Sequence, residues 1–215
     1  NTENGIDLLG MEQSFTGHIR QVGLRQNFHI QTGSHIVETG LQTTLLDVKS
    51  AEWQIVNNHQ KEKRRSWDNN IWINANLNFG QWLKLAAGLR LDSYSSLGGT
   101  MYYGIDEEGE IIRLYKKKSN EIVKTWVNLE PRLSATLLLS PSVSIKAGYT
   151  RTTQNIHALR NQSLSTPFDR YALTSNILKP EIADQISAGV FAVTPDEMYD
   201  MSIEAYWRTI SNVAD

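Results

Sequence analysis

The amino-acid sequence predicts an all-β protein built as one antiparallel, up-and-down sheet of about eight long strands. Apolar and polar residues alternate with a period of two, which places the apolar side chains on one face of a strand. The alternating stretches run for about 9–14 residues, longer than the five or six that are usual in globular sheets. Short turns and long polar segments then follow one another in strict order along the chain.

Residues 83–92 show the alternation best, with Leu85, Leu89 and Leu91 on one face and Arg90 and Asp92 on the other. Stretches 71–79, 143–150 and 200–208 repeat this pattern, and weaker forms of it occur near the start of the chain. We therefore predict strands at residues 17–30, 35–48, 68–79, 83–95, 125–139, 142–152, 182–193 and 198–210.

The connections between these strands differ in length. Short turns are predicted at residues 31–34, 80–82, 140–141 and 194–197, and long loops at 49–67, 96–124 and 153–181. Hairpins with short turns at one end and long loops at the other are what an outer-membrane barrel requires. A soluble β-sandwich or a lipocalin-like barrel, with the apolar face inward, is the alternative. Small and amide residues on the polar faces favour a water-filled lumen: Gly40, Asn74, Asn76, Gly88, Ser134, Gly148, Ser187 and Gly189.

Composition excludes several classes of protein. The chain has 21 basic and 23 acidic residues, and this balance argues against a nucleic-acid binder. It has no cysteine, so a disulfide scaffold and a cysteine nucleophile are excluded. The sequence contains no run of about 18 apolar residues, so it predicts no transmembrane helix. The first residues lack the features of a signal peptide.

Several motifs point to a known family. They are LAAGLRL at 85–91, NLEPRLS at 128–134, SIKAGYTR at 144–151, QNIHAL at 154–159, LKPE at 178–181 and IEAYWR at 203–208. In this order and spacing, over about residues 70–215, the chain resembles the TonB-dependent outer-membrane receptors of Bacteroidetes-type bacteria. The resemblance implies a bacterial outer-membrane barrel of about 22 strands with a plugged lumen.

By this resemblance, residues 1–215 form a single partial barrel domain, and the plug domain is absent from the sequence. The implied function is import of a scarce nutrient, which is a siderophore, a corrinoid, a glycan or a peptide. The implied partners are outer-membrane lipid and lipopolysaccharide, TonB acting through the plug, a small-molecule or glycan substrate, and a surface lipoprotein. Neither catalysis nor a cofactor is expected.

The polar faces of the strands supply the candidate lumen-facing residues. They are Trp72, Asn74, Arg90, Glu130, Arg132, Lys146, Glu204 and Arg208. Glu130 and Arg132 share a face and are predicted to form an ion pair. Pro131, between them, has no N–H to donate, so we expect it at a strand end or a bulge.

Loop 153–181 is the predicted site of substrate contact. Ligand contacts concentrate on loops that a rigid scaffold holds, and aromatic and arginine side chains dominate recognition. The candidates are His157, Arg160, Phe168, Asp169, Arg170 and Tyr171. Ordinary loop packing is the alternative for each of them.

Two further features concern the membrane boundary. Residues 103–118 predict a hairpin within a long loop, turning at Glu108 and Gly109. Its lysines, with four earlier cations, are candidates to meet lipopolysaccharide phosphates, unless they form an ordinary solvated charge run: Lys61, Lys63, Arg64, Arg65, Lys116, Lys117 and Lys118. The candidates for aromatic girdles at headgroup depth are Trp82, Tyr94, Tyr149, Tyr199 and Trp207.

An outer-membrane enzyme is the third class considered. It requires a set of the Ser/His/Asp type at the rim, and Ser163, Ser165 and Asp169 share a loop with His157. No spacing rule supports a triad there. The five histidines have no metal-ligand spacing, and no nucleophile elbow or phosphate loop occurs. The sequence therefore predicts neither a catalytic residue nor a metal site.

Overall fold

A computed structural model describes residues 2–8, 11–49, 63–106, 110–159, 170–196 and 198–214. The strands are β1 (Thr2–Leu8), β2 (Met11–Thr32), β3 (His35–Lys49), β4 (Lys63–Phe79), β5 (Leu83–Leu97), β6 (Met101–Ile105), β7 (Ile111–Lys116), β8 (Ile122–Ser140), β9 (Val143–Gln154), β10 (Ile156–Leu159), β11 (Arg170–Leu173), β12 (Glu181–Val193) and β13 (Asp200–Ser211). In the residues thus described, no helix is long and apolar enough to cross a membrane.

Nine strands form one antiparallel sheet in the order β1-β2-β3-β4-β5-β8-β9-β12-β13. Two separate hairpins, β6–β7 and β10–β11, lie within the long connections. The predicted all-β, up-and-down sheet is confirmed, with one more strand than the sequence indicated. That strand, β1, has no clear alternation in its sequence, TENGIDL.

The ladders extend beyond the apolar residues that predicted them. The pairing of β3 with β4 continues to the pair of Lys49 with Lys63, several residues before the predicted start of that strand at 68. Backbone hydrogen bonds do not depend on side-chain polarity, so alternation marks the middle of these strands better than their ends. We call the end of the sheet that carries the long connections the loop end, and the other the turn end.

The apolar face of the sheet is exposed and the polar face is buried, which is the reverse of a soluble protein. On the apolar face Ile73 is 51% exposed and Leu89 is 43% exposed. On the polar face Asn70 is 3% exposed and Glu130 is 4% exposed. A soluble sandwich hides its apolar side chains between two layers. The described residues show no second layer over this apolar face, so the sandwich alternative is wrong for them.

The apolar face has the dimensions of a membrane-spanning belt. On β4 it runs from Trp67 to Phe79. With a rise of about 3.3 Å per residue and a tilt of about 45°, this segment spans about 28 Å of depth, close to the about 25 Å belt of outer-membrane barrels. Polar groups on this face satisfy one another, because Thr43 Oγ1 accepts from Trp67 Nε1 at 2.7 Å and donates to Asn69 Oδ1 at 2.8 Å.

The polar face is concave. Gln21 of β2 and Thr152 of β9 line one cavity, although their strands are five positions apart in the sheet. A flat sheet would separate such strands by about 24 Å, so the sheet curves around its polar side. The small buried apolar core also lies on this side, at the loop end.

Two expectations from the sequence are corrected here. Pro131 lies in the middle of β8, not at its end, and its partner in β5 is Leu89. The prediction failed because a missing N–H matters only on the side where a strand pairs, and β9 pairs with β8 only from Arg132 onward. Tyr94 is not a girdle residue, since it lies on the polar face and is 2% exposed.

Candidate functional site

The register of the sheet brings the predicted polar residues onto one surface. Trp72, Arg90 and Glu130 lie side by side on β4, β5 and β8. One step nearer the turn end, Asn74, Gly88 and Arg132 do the same. The other candidates occupy equivalent positions on the later strands: Lys146, Glu204 and Arg208. All eight therefore share the concave polar face.

Glu130 is the centre of an ion-pair cluster on this face. Its Oε2 lies 3.8 Å from Arg90 Nε and 3.6 Å from Arg132 Nη2, so the predicted pair with Arg132 is present. Arg90 Nε also donates to Asn70 Oδ1 at 2.9 Å. A buried carboxylate needs such partners, because desolvation otherwise disfavours its charge. The cluster fixes two guanidinium groups against the wall.

Glu130 also holds the point where β9 stops pairing with β8, although β9 stays paired with β12 as far as Gln154. The ladder between β8 and β9 ends at the pair of Arg132 with Thr150. Beyond it, the backbone N–H of Thr153 donates to Glu130 Oε1 at 3.0 Å. The carboxylate therefore replaces the missing backbone acceptor. One side chain links the ion-pair cluster to the start of the following loop.

A glycine allows the indole of Trp72 to lie across the face. A Cβ atom at Gly40 would stand 2.4 Å from the Trp72 ring and 2.6 Å from the carbonyl oxygen of Gln26. The guanidinium of Arg25 lies 4.8 Å from the centre of the same ring, within cation–π range. The Trp72 ring thus reaches from β4 across β3 toward β2, on the polar side of the sheet.

The connection from β9 to β12 folds back over this surface. We call its described parts, 155–159 and 170–180, the inward loop. The N–H of Thr174 donates to the carbonyl of Asn155 at 2.9 Å and closes the base of the β10–β11 hairpin. Ser96 Oγ then donates to the Thr174 carbonyl at 2.7 Å, and Trp126 Nε1 donates to the Ser175 carbonyl at 2.8 Å. Side chains of β5 and β8 therefore tie the loop to the wall.

Apolar packing supports the same arrangement. Leu173 of the inward loop packs with Leu46 and Val48 of β3, and Ile156 covers them. These β3 residues occupy the polar side of the sheet, at its loop end. Leu173 and Ile156 therefore contribute to the burial of these two side chains. The inward loop thus lies within the concave side instead of extending into solvent.

His157 is placed differently from its prediction as a substrate contact. It is 2% exposed, and its Nε2 lies 3.0 Å from Thr174 Oγ1. Burial lowers the pKa of His157, and the charge of Glu181 opposes this in part. The side chain packs inside the loop, a tertiary contact that the sequence does not reveal.

The remaining loop candidates are described only in part. Arg160, Phe168 and Asp169 lie outside the described residues. Arg170 and Tyr171 belong to β11, where their backbones pair with Leu159 and Ala158. Their role as substrate contacts stays a prediction.

Between the inward loop and the wall lies a cavity of about 450 Å³. Its charged lining consists of Asp68, Arg90, Asp92, Glu130 and Arg132. Sequence reasoning missed further lining residues, among them Gln21, Gln42, Asp68, Asp92 and Tyr94. The two-residue period of the strands could have placed these residues on the polar face. No group of side chains among the described residues is arranged to hold a metal ion.

The predicted basic group does not stay together. The guanidinium of Arg64 lies 4.7 Å from the Tyr102 ring centre, on the polar side. Lys63 and Arg65 point to the opposite face, where both approach Asp47. Lys117 Nζ donates to the Ile122 carbonyl at 2.8 Å, and Lys61 lies outside the described residues. Neighbours in a strand point to opposite faces, so grouping Arg64 with Lys63 and Arg65 by sequence was wrong, while the lipopolysaccharide contacts of the other cations stay a prediction.

A curved antiparallel sheet with its apolar face outward, its polar face inward and a loop folded into the concave side defines the wall of a membrane-spanning β-barrel. The chain belongs to the family described as TonB dependent receptor-like, beta-barrel, whose model matches residues 4–215. Its location is the bacterial outer membrane.

Solved structures share this fold. The FrpB iron transporter from Neisseria meningitidis (F3-3 variant) is 13% identical with a TM-score of 0.59, covering 94% of this chain and 29% of its own. The copper transporter OprC is 12% identical with a TM-score of 0.62, covering 94% and 32%. The Serratia marcescens hemophore receptor HasR, in complex with HasA and heme, is 14% identical with a TM-score of 0.52, covering 93% and 33%.

These likenesses show the fold. The chain spans 29% to 33% of the length of the three structures. No curated protein sequence matches it.

Proposed function

We propose that this chain forms wall and substrate-facing loop in a TonB-dependent transporter that imports a scarce nutrient. The observation that carries the proposal is the inward loop, which lies over a charged cavity on the concave face. A loop held there stands between the outside and the lumen. Contacts to a substrate therefore begin at the loop and continue along the polar wall.

We infer that further strands close the barrel to a total of about 22. Within the described residues, β1 and β13 each pair on one side only. Unpaired backbone groups are too costly to face the hydrocarbon of a bilayer. The eight polar candidates then face the lumen, with the Glu130 cluster at its wall.

The substrate class is proposed as a siderophore, a corrinoid, a glycan or a peptide. By their names, two proteins of similar fold are transporters of iron and of copper, and a third is a hemophore receptor in complex with its hemophore and heme. The cavity of this chain combines carboxylates with guanidinium groups, which favours a substrate with many hydrogen-bonding groups. A role in transport is proposed in preference to catalysis.

The partners follow from the same proposal. TonB is expected to act through a plug domain, and we assign no residue of this chain to that contact. A surface lipoprotein over the mouth is a further partner under this proposal, in keeping with the Bacteroidetes-type likeness of the sequence motifs.

Uptake measurements test the function. Cells that carry the receptor, with and without TonB, are supplied with labelled ferric siderophores, cobalamin, oligosaccharides and peptides. We expect uptake of one class to require both the receptor and TonB. Glu130→Gln should reduce that uptake while Glu38→Gln, a matched change outside the cavity, should not. If uptake of every class is the same without TonB, the proposal is wrong.

A further inference from the structure

We propose that the outward face of β2, β3 and β4 carries, at the loop end, a binding site for the phosphate groups of an outer-leaflet lipid. Lipopolysaccharide belongs to this class of phosphorylated lipid. The inference comes from the register of three neighbouring strands. It concerns the opposite side of the wall from the cavity, so it goes beyond the transport function.

The register places two rows of polar residues just beyond the apolar belt. One row is Arg20, Asp47 and Arg65, which pair across the three strands. The next row outward is His18, Lys49 and Lys63. One step into the belt, the corresponding row is Val22, Leu45 and Trp67. All three rows share the outward face, because side chains two residues apart point the same way.

Positive charge is in excess at this place. Asp47 is the one acidic residue in the two rows, and it faces four basic residues: Arg20, Lys49, Lys63 and Arg65. Its Oδ2 lies 3.0 Å from Lys63 Nζ, and its Oδ1 lies 3.6 Å from Arg65 Nε. The four basic residues and one acidic residue give the rows a net formal charge of +3, and Arg20 and Lys49 have no acidic partner within them. Adjacent positions in a sheet are about 5–7 Å apart, so these cations repel one another unless an anion joins them.

Along these strands an apolar row is followed by basic rows, and this order matches the order of acyl chains and phosphates in a phosphorylated lipid. Val22 is 57% exposed and Leu45 is 45% exposed, so both are open to acyl chains. Trp67 stands in the same row, at the depth where indole rings prefer the membrane interface. The basic rows begin immediately above. A lipid whose phosphates lie directly over its acyl chains meets both surfaces at once, whereas free phosphate meets only the cations.

A comparison with strands farther along the same outward face shows that the excess of positive charge is local. On β9 and β12 the outward face also carries charge near the loop end, but there it is balanced. Arg151 donates to both carboxylate oxygens of Asp184, at 2.8 and 2.9 Å, and the Tyr149 hydroxyl donates to the same carboxylate at 2.6 Å. We therefore assign the lipid site to β2–β4 alone.

Binding of lipid A by the purified receptor in detergent tests the proposal. The variant is Arg20→Gln/Lys49→Gln/Lys63→Gln, and the matched control is Arg113→Gln/Lys124→Gln/Lys179→Gln, which removes one arginine and two lysines elsewhere at the loop end. At about 1 kcal/mol per cation near a lipid surface, the first variant should bind lipid A roughly 100-fold more weakly. The control should bind like the unchanged protein, and added salt should weaken binding.

Two additional arms separate the sources of phosphate. Dephosphorylated lipid A should bind weakly to every variant, and inorganic phosphate alone should bind far more weakly than lipid A. The Asp47→Asn variant, which lacks the opposing charge, should bind lipid A more tightly. Misfolding cannot cause a gain of binding, so this variant separates a charge effect from a folding defect. Equal weakening in both triple variants would overturn the site, as would phosphate binding as strong as lipid binding. Neither outcome alters the uptake test of the transport proposal.

Discussion

The two faces belong to the same hydrogen-bonded sheet, yet they differ in which side chains are buried. On the outward face, large apolar side chains such as Ile73 are half exposed, while on the inward face Asn70, Asp92 and Glu130 are almost completely buried. In water such an arrangement would be unstable, since apolar exposure costs free energy and buried charge needs partners. The difference teaches that the surroundings of this sheet are inverted: hydrocarbon covers the outside, and polar protein groups fill the inside.

Charge placed on the outward face should have the largest effect. Ile73 lies at the middle of the belt on β4, and Asn76 lies on the inward face of the same strand. We expect Ile73→Arg to destabilise the folded protein in a bilayer by about 2–4 kcal/mol, because the guanidinium must enter hydrocarbon. Asn76→Arg should cost less than about 1 kcal/mol. The measurement is the free energy of unfolding from lipid vesicles, and equal costs would remove the difference between the faces.

Close packing on the inward face should give the next largest effect. A Cβ at Gly40 collides with the Trp72 ring, whereas a Cβ at Gly148 has its nearest contact at 3.4 Å. We predict that Gly40→Ala costs about 1–3 kcal/mol, as overpacking does, and that Gly148→Ala stays within about 0.5 kcal/mol. Thermal unfolding in detergent measures both. A tolerated Gly40→Ala would show that the Trp72 ring is free to move.

The attachment of the inward loop should be weaker than the packing of the wall. Trp126→Phe keeps the ring but removes the donor to the Ser175 carbonyl, a loss of about 1 kcal/mol. We expect faster amide exchange in residues 172–178, with the rest of the sheet unchanged. Trp82→Phe is the control, since Trp82 is exposed at the turn end. Equal exchange in both variants would mean that this bond does not hold the loop.

The smallest effect expected is a pH dependence of the same loop. Burial lowers the pKa of His157 below its unfolded value, so the folded loop binds fewer protons than the open one. The loop is therefore most stable above the ordinary histidine pKa of about 6.5, and this stability is lost as pH falls through that value toward the lowered pKa. Amide exchange of residues 156 and 172–174 at pH 7.5 and pH 5, corrected for intrinsic rates, measures the change. In His157→Gln the pH dependence should vanish.

The strands were predictable because a two-residue period depends on local geometry alone. Leu85, Leu89 and Leu91 identified β5 and its outward face without any knowledge of its neighbours. The same reasoning placed Arg90, Glu130 and Arg132 on one face, and the register then brought them together. Hydrophobic patterning also fixes register in such a sheet, since a shift of one residue would exchange the faces.

The loops were not predictable to the same degree. The burial of His157 depends on Thr174, and that of Leu46 on Leu173, which are contacts between distant parts of the chain. Arg64 and Arg65 show the other failure, because grouping charges by sequence ignores that adjacent strand residues point to opposite faces. Applied to those cations, the two-residue period would have separated them.

Oxygen accessibility of nitroxide labels along β5 tests the inverted arrangement of the faces most directly. The sequence has no cysteine, so Lys84→Cys, Leu85→Cys, Ala86→Cys and Ala87→Cys each give one labelling site in the receptor reconstituted in lipid. Oxygen partitions into hydrocarbon, so the account predicts high oxygen accessibility at 85 and 87 and low accessibility at 84 and 86. A uniform profile, or high values at 84 and 86 instead, would contradict it.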